Sequence, residues 1–328
     1  MTEADARSSL VPAWFIAHRR PIVWLAVVVL TGLTFSAFAL GYAARPGAQP
    51  FAPQDPIVFL GSAAVIAAYA CVSVVLVLRV PDNVVGWIFG AFAVVVATSN
   101  IAWAYVTYAT ETVPPQLPGV EAALLLGATS VPWWTFCLVA LITCFPDGRP
   151  ISKAWGWLVI AAALLATVGS LALAFSSGPL PAWAAESPLA LPGPSGIALA
   201  AAARVVVAML VAMALAAVWS LTIRYRAADD IGRLQLKWLV YAGGVFIVCG
   251  MAFWLLAGSA YEQGSSGSTA IWVLFCAGAI VVPLAALVAI LRYHLYEIET
   301  IIGRTLVYGS LTAILAGIYT AGIRLFNW

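Results

Sequence analysis

Nine stretches of this chain, each 19 to 27 residues long, consist almost entirely of uncharged, mostly apolar side chains. About 20 such residues in a helix cross the hydrocarbon core of a bilayer. Cut at charges and at Pro/Gly-rich breaks, the stretches are 22–44, 57–78, 84–109, 121–145, 156–176, 197–223, 237–258, 269–291 and 305–323. The apolar residues run on without the two-residue alternation of a lipid-facing strand, which excludes a barrel. The predicted fold is therefore all-α, a polytopic transmembrane bundle. The first stretch is too long for the apolar part of a signal peptide and reads as a retained helix. Residues 1–20 form a tail, and 21–328 form a single integral-membrane domain. Composition closes off the soluble alternative. Only 9% of the residues are charged, against about one quarter in a soluble domain. A net charge of +2 offers no surface for a nucleic acid.

The few charges are sorted. With the N-terminus inside, the cytoplasmic cations are Arg7, Arg19, Arg20, Arg79, Arg149, Lys153, Arg224, Arg226, Arg233, Lys237, Arg292 and Arg304. Only Arg45 and Arg324 fall outside, and Arg204 lies within a span. This bias sets the expected orientation of a multi-pass membrane protein, and nine spans then leave the C-terminus outside. On the inner face, Val80–Asn83 and Pro146–Arg149 read as turns, with Pro presetting one dihedral and Gly accepting positive φ. Segment 225–238 reads as a helix start that Asp229 or Asp230 can cap, and Asp229 stands four residues before Arg233. In segment 292–304, Leu295, Ile298 and Ile302 share one helical face, as in a helix lying in the membrane interface. The five cysteines lack CxxC spacing and read as small buried hydrophobes.

Arg204 is the one charge well inside a predicted span, about eight residues or ~12 Å below its outer end. A charge at that depth marks a site by default, although a long guanidinium can also climb to headgroups or pair with Glu121. The functional reading places Arg204 on an outward-open cavity with Asn100 and Trp133 or Trp134, suited to an apolar or amphiphilic ligand with an anionic head. Pro132 is expected to kink the fourth span there, and Pro283 the eighth. Gly309, Ala313, Gly317 and Ala321 form a four-residue ladder in the last span and read as a helix-packing face.

Four inner-face stretches resemble something more specific. They are VPDNVVGWIFG (80–90), CFPDGRPIS (144–152), RYRAADDIGRLQLKWLVYA (224–242) and AILRYHLYEIETIIGRTLVYGSLTAILAGIY (289–319). Together they look like the N-terminal membrane region of actinobacterial-type two-component sensor histidine kinases. The likeness rests on Pro81, Asn83, Gly86, Trp87, Pro146, Asp147, Gly148, Arg149, Gln235, Trp238, Arg292, Tyr293, Leu295, Tyr296, Arg304 and Tyr308. His294 stands where that family usually has Arg. The resemblance implies a sensory input module for signal transduction, embedded in a bacterial plasma membrane. Family members generally continue through another span and a basic segment, in many cases to a phosphoacceptor and an ATP-binding domain. A chain ending at Trp328 is thus expected to be truncated before its output domain. Phosphoryl transfer needs a phosphoacceptor and a glycine-rich cradle. The two histidines, His18 and His294, lie on no long soluble helix, and no such cradle follows a strand pattern. The chain is not expected to be a catalyst or to hold a cofactor or metal. Expected partners are membrane lipids, a hydrophobic or amphiphilic ligand, and either a second copy or a separate kinase subunit, with no nucleic acid. The alternative is a standalone transporter-like or structural membrane protein.

Overall fold

The computed structural model describes residues 11–43, 56–111, 117–178, 180, 186–263 and 265–291. Its helices are α1 (Ala13–Ala17), α2 (Arg19–Ala43), α3 (Pro56–Arg79), α4 (Val84–Glu111), α5 (Val120–Thr129), α6 (Val131–Cys144), α7 (Lys153–Phe175), α8 (Pro194–Ala227), α9 (Asp230–Gln263) and α10 (Ser265–Leu291). There is no strand among the described residues, and eight helices are long and apolar enough to cross a membrane, α5 and α6 counting as one. The chain is an all-α polytopic bundle. The interfacial segment 292–304 and the last predicted span, 305–323, lie outside the described residues, and with them the ladder Gly309–Ala321.

The spans keep close to the apolar stretches, but several helices run past them. α8 and α9 are each 34 residues long because Arg, Lys, Gln and Leu continue a helix readily beyond the hydrocarbon. α2 starts at Arg19, inside the predicted tail, after the single turn of α1. Asp229 caps α9, its Oδ1 accepting from the Gly232 N–H at 2.8 Å. Arg233 reaches Asp230 at 3.5 Å, three residues away, and not Asp229 as the four-residue spacing suggests. Cys137, Cys144, Cys249 and Cys276 are buried as expected, whereas Cys71 is exposed.

The fourth span breaks between α5 and α6, at the proline expected to bend it. Pro132 has no N–H, so the ladder lapses there and Trp133 N–H turns back to Ser130 O at 3.0 Å. The Thr129 carbonyl so released accepts from Ser170 Oγ at 2.7 Å, and Ser130 Oγ meets Ser99 Oγ at 2.6 Å. Side chains of α7 and α4 thus satisfy the groups that lipid could not. α10 instead runs through Pro283 as one helix.

The helices pack in a row that departs from chain order. α9 lies along α10, α10 along α3, and α3 along α4, which leads through α5 and α6 to α7 and α8. α2 rests on the outside of α3 and α4, while α8 and α9 meet at only a few residues. Helices in lipid gain little from burying apolar surface, so close backbone approach has to come from small residues. Glycines make it possible. A Cβ at Gly86 would lie 2.9 Å from Leu76 Cβ, and one at Gly90 2.7 Å from Ser73 Oγ. Gly278 meets Cys249 in the same way across α9 and α10. Packing is tightest at one end, where Leu76, Val77, Val85, Phe89, Phe145 and Leu236 are all but sealed from outside. Arg79, Arg149, Lys153 and Arg224 stand at this arginine-rich end, and the opposite end is called the far end below.

Candidate functional site

Three chain reversals meet at the arginine-rich end. Asn83 joins two of them. Its Oδ1 accepts from Val85 N–H at 2.9 Å and so caps α4, and its Nδ2 donates to Pro146 O at 2.8 Å. Gly148 completes the contact, with a φ of +76° and its Cα facing Asn83 and the Val84 amide so closely that no side chain fits. Trp87 Nε1 donates to Pro81 O at 3.1 Å and holds the first turn against α4.

Arg224 ties in the third. It stands in the last turn of α8, yet its side chain is only 8% exposed. One terminal nitrogen donates to Thr143 O at 2.7 Å and also to Arg149 O, while the other lies 3.6 Å from an Asp147 carboxylate that is 75% exposed. Thr143 is in the last turn of α6, where carbonyls lack a partner of their own and a cation is favoured. Arg224 therefore serves as a C-terminal cap supplied by another helix. A fourth link holds α9 to α10, where Gln235 Nε2 donates to Ala289 O at 2.9 Å. Trp238 packs its ring on the core beside it, and its Nε1 has no hydrogen-bond partner among the described residues.

Pro81, Asn83, Gly86, Trp87 and Pro146–Arg149 thus come together in one clasp, with Gln235 and Trp238 at the neighbouring helix pair. Arg292, Tyr293, Leu295, Tyr296, Arg304 and Tyr308 lie outside the described residues. Arg224 is the clasp's central residue, and in the sequence it is only one of several cations at a span boundary. Its signal is faint: it ends an unbroken apolar run, one position before Tyr225 and Arg226.

Asn83→Asp tests the clasp directly. Aspartate keeps the cap but replaces the donor to Pro146 O by a second acceptor. The expected loss is about 2 kcal/mol of stability, from the missing bond and an unsatisfied buried carbonyl. An unfolding titration in mixed micelles measures it, and a value within error of the parent chain removes the Asn83–Pro146 bond from this account.

The sensing candidates lie apart from the clasp. Asn100 lines a cleft between α2, α3, α4 and α10 at the far end. Arg204 stands on α8, outside this cleft, exposed and without a hydrogen bond or ion pair among the described residues. Trp133 and Trp134 are on α6, where Trp133 meets Phe136 edge-on at 5.6 Å and Trp134 is 39% exposed. Among the described residues no group of His, Cys, Asp and Glu could hold a metal ion. The chain matches no family model, no curated protein and no solved structure.

Proposed function

We propose that the chain is a membrane-embedded sensory input module of the kind carried by sensor histidine kinases, with its arginine-rich end in the cytoplasm of a bacterium. The observation that supports this most is the clasp. Three of the four stretches that carry the resemblance, 80–90, 144–152 and 224–242, supply residues to it or to the helix pair beside it. An input module has to turn an event among its spans into a displacement at the end where output is read. Spans whose ends share one hydrogen-bonded knot move there together, as such coupling needs. The excess of cations at the same end supports the orientation.

A transporter is the other reading, and it calls for paired ionisable groups near the midplane. The ion pairs among the described residues, Arg224–Asp147 and Arg233–Asp230, stand at the arginine-rich end instead. The test uses the full chain in its native membrane. A histidine kinase or response regulator is expected to co-purify with it, and deleting the gene is expected to change the phosphorylation of that regulator. Unchanged phosphorylation of every response regulator, together with solute uptake by proteoliposomes carrying the chain, would overturn the proposal in favour of transport.

A further inference from the structure

The segment that leads into α2 carries cations and large rings together, and neither is covered. Residues 11–43 include Arg19 and Arg20 but no Asp or Glu. Arg79 ends α3, two positions before the Pro81 carbonyl that holds Trp87. α2 packs along α3 and α4, and Phe15 meets Trp87 edge-on at 5.5 Å, so these helix ends share one corner of the arginine-rich end. Arg19, Arg20 and Arg79 form no ion pair among the described residues, and neither does Asp82, three positions after Arg79.

We propose that this corner binds an anionic phospholipid of the adjoining leaflet. The phosphate lies against Arg19, Arg20 and Arg79, and the glycerol and upper acyl chains lie against Trp14 and Trp24. The site does not depend on whether the chain signals. Two features select this partner. A soluble anion would neutralise the arginines but leave the rings uncovered, and Trp14 is 59% exposed. A phospholipid meets both needs, because its phosphate sits directly above apolar chains and tryptophan favours that boundary. Arg20, Trp24 and Val28 follow one another at successive turns of α2, all exposed, so an acyl chain descending from a phosphate at Arg20 runs along them. The second feature is the missing acid. The ammonium of a zwitterionic lipid finds no carboxylate on α1 or α2, whereas a net negative headgroup leaves no charge over.

The corner is also held in shape. One terminal nitrogen of Arg19 donates to Ile16 O at 2.9 Å, which fixes its charge at the joint of α1 and α2. His18 stacks on Trp14 at 4.7 Å, and its Nδ1 donates to Trp14 O at 2.9 Å. Phe15 anchors α1 to α4 from the other side. A lipid therefore has few side chains to order when it binds, and little of the attraction is spent on doing so.

The full chain in phosphatidylcholine nanodiscs tests the site with a phosphatidylglycerol probe carrying a diazirine on its upper acyl chain. Label is expected on the peptides that contain Trp14 and Trp24, and unlabelled phosphatidylglycerol should displace it far better than phosphatidylcholine. Excess inorganic phosphate should leave it in place. Arg20→Gln should weaken competition by phosphatidylglycerol roughly fivefold, and Arg20→Gln with Arg79→Gln roughly twenty-five-fold, about one factor of five for each cation. Arg20→Lys with Arg79→Lys should keep the preference, since an ammonium also donates to phosphate, and this separates lost charge from lost folding. Equal competition by phosphatidylcholine in the parent chain, displacement by inorganic phosphate, or unchanged competition in the double Gln variant overturns the site.

Discussion

Gly148→Ala should lower the stability of the folded chain by about 3–4 kcal/mol. Two costs coincide. The residue has a φ of +76°, which an L side chain adopts at a cost of about 1–2 kcal/mol. Its Cβ would also lie 2.6 Å from Asn83 Oδ1 and 2.7 Å from the Val84 amide nitrogen. Backbone cannot yield as a flexible side chain can. The loop must instead lift off the start of α4, breaking the bond from Asn83 Nδ2 to Pro146 O. Gly119 separates the two costs, because it has a φ of +86° and nothing near its Cα for a methyl group to meet. Gly119→Ala should therefore cost about 1–2 kcal/mol, from the dihedral alone. Equal losses for the two variants, read from unfolding in mixed micelles, would show that the packing of Gly148 against Asn83 contributes nothing.

Arg224→Ala comes next, with an expected loss of about 3 kcal/mol. It strands the buried carbonyl of Thr143 and breaks the part-buried bond to Arg149 O, and each was bonded to a charged donor. Asp147 points the other way. Its carboxylate is 75% exposed and 3.6 Å from the guanidinium, so Asp147→Asn should cost under about 1 kcal/mol. Arg224→Lys keeps the charge, but an ammonium lacks the planar fork that sets one nitrogen on the two carbonyls and the other toward Asp147, and about half of the loss should remain. A larger effect from Asp147→Asn than from Arg224→Lys would mean that the ion pair, and not the capping of α6, is what holds the clasp.

The spans are legible in the sequence because bilayer thickness dictates their length before any packing is considered. Their ends are less so. α8 and α9 continue through charged helix-formers into the aqueous boundary, where hydropathy stops marking the helix. The turns at Pro81–Asn83 and Pro146–Arg149 show in their residue types, which report local dihedrals. That they meet is a different kind of fact, since Asn83 and Pro146 are 63 positions apart and joined by an amide to a backbone carbonyl. Arg224 is hidden for the same reason, as its partners are carbonyls that every residue has. Arg204 and Asn100 both look like polar residues in search of a cavity. Only the packing order of the helices puts one on the outside of α8 and the other in a cleft bounded by α10. Gly86 and Gly90 have the spacing of a close helix contact, whereas Gly61 is the single glycine of α3 and Gly278 has no glycine four residues away, and both become meaningful only opposite Trp272 and Cys249.

The placing of α10 beside α3 has a consequence for how the protein is made. Trp272 bonds to a carbonyl 214 positions earlier in the chain, and a Cβ at Gly61 would lie 3.0 Å from Cys276. At a synthesis rate of roughly 5–20 residues per second, about 10–40 s pass between the emergence of α3 and that of its neighbour. During that interval α3 sits in the membrane with its glycine notch turned to lipid or to the insertion machinery. Helices α4 to α8 must insert without filling the notch, and α9 and α10 must then travel round to it. Assembly of this bundle therefore finishes after insertion rather than during it, and the half-made chain is the form most exposed to membrane proteases.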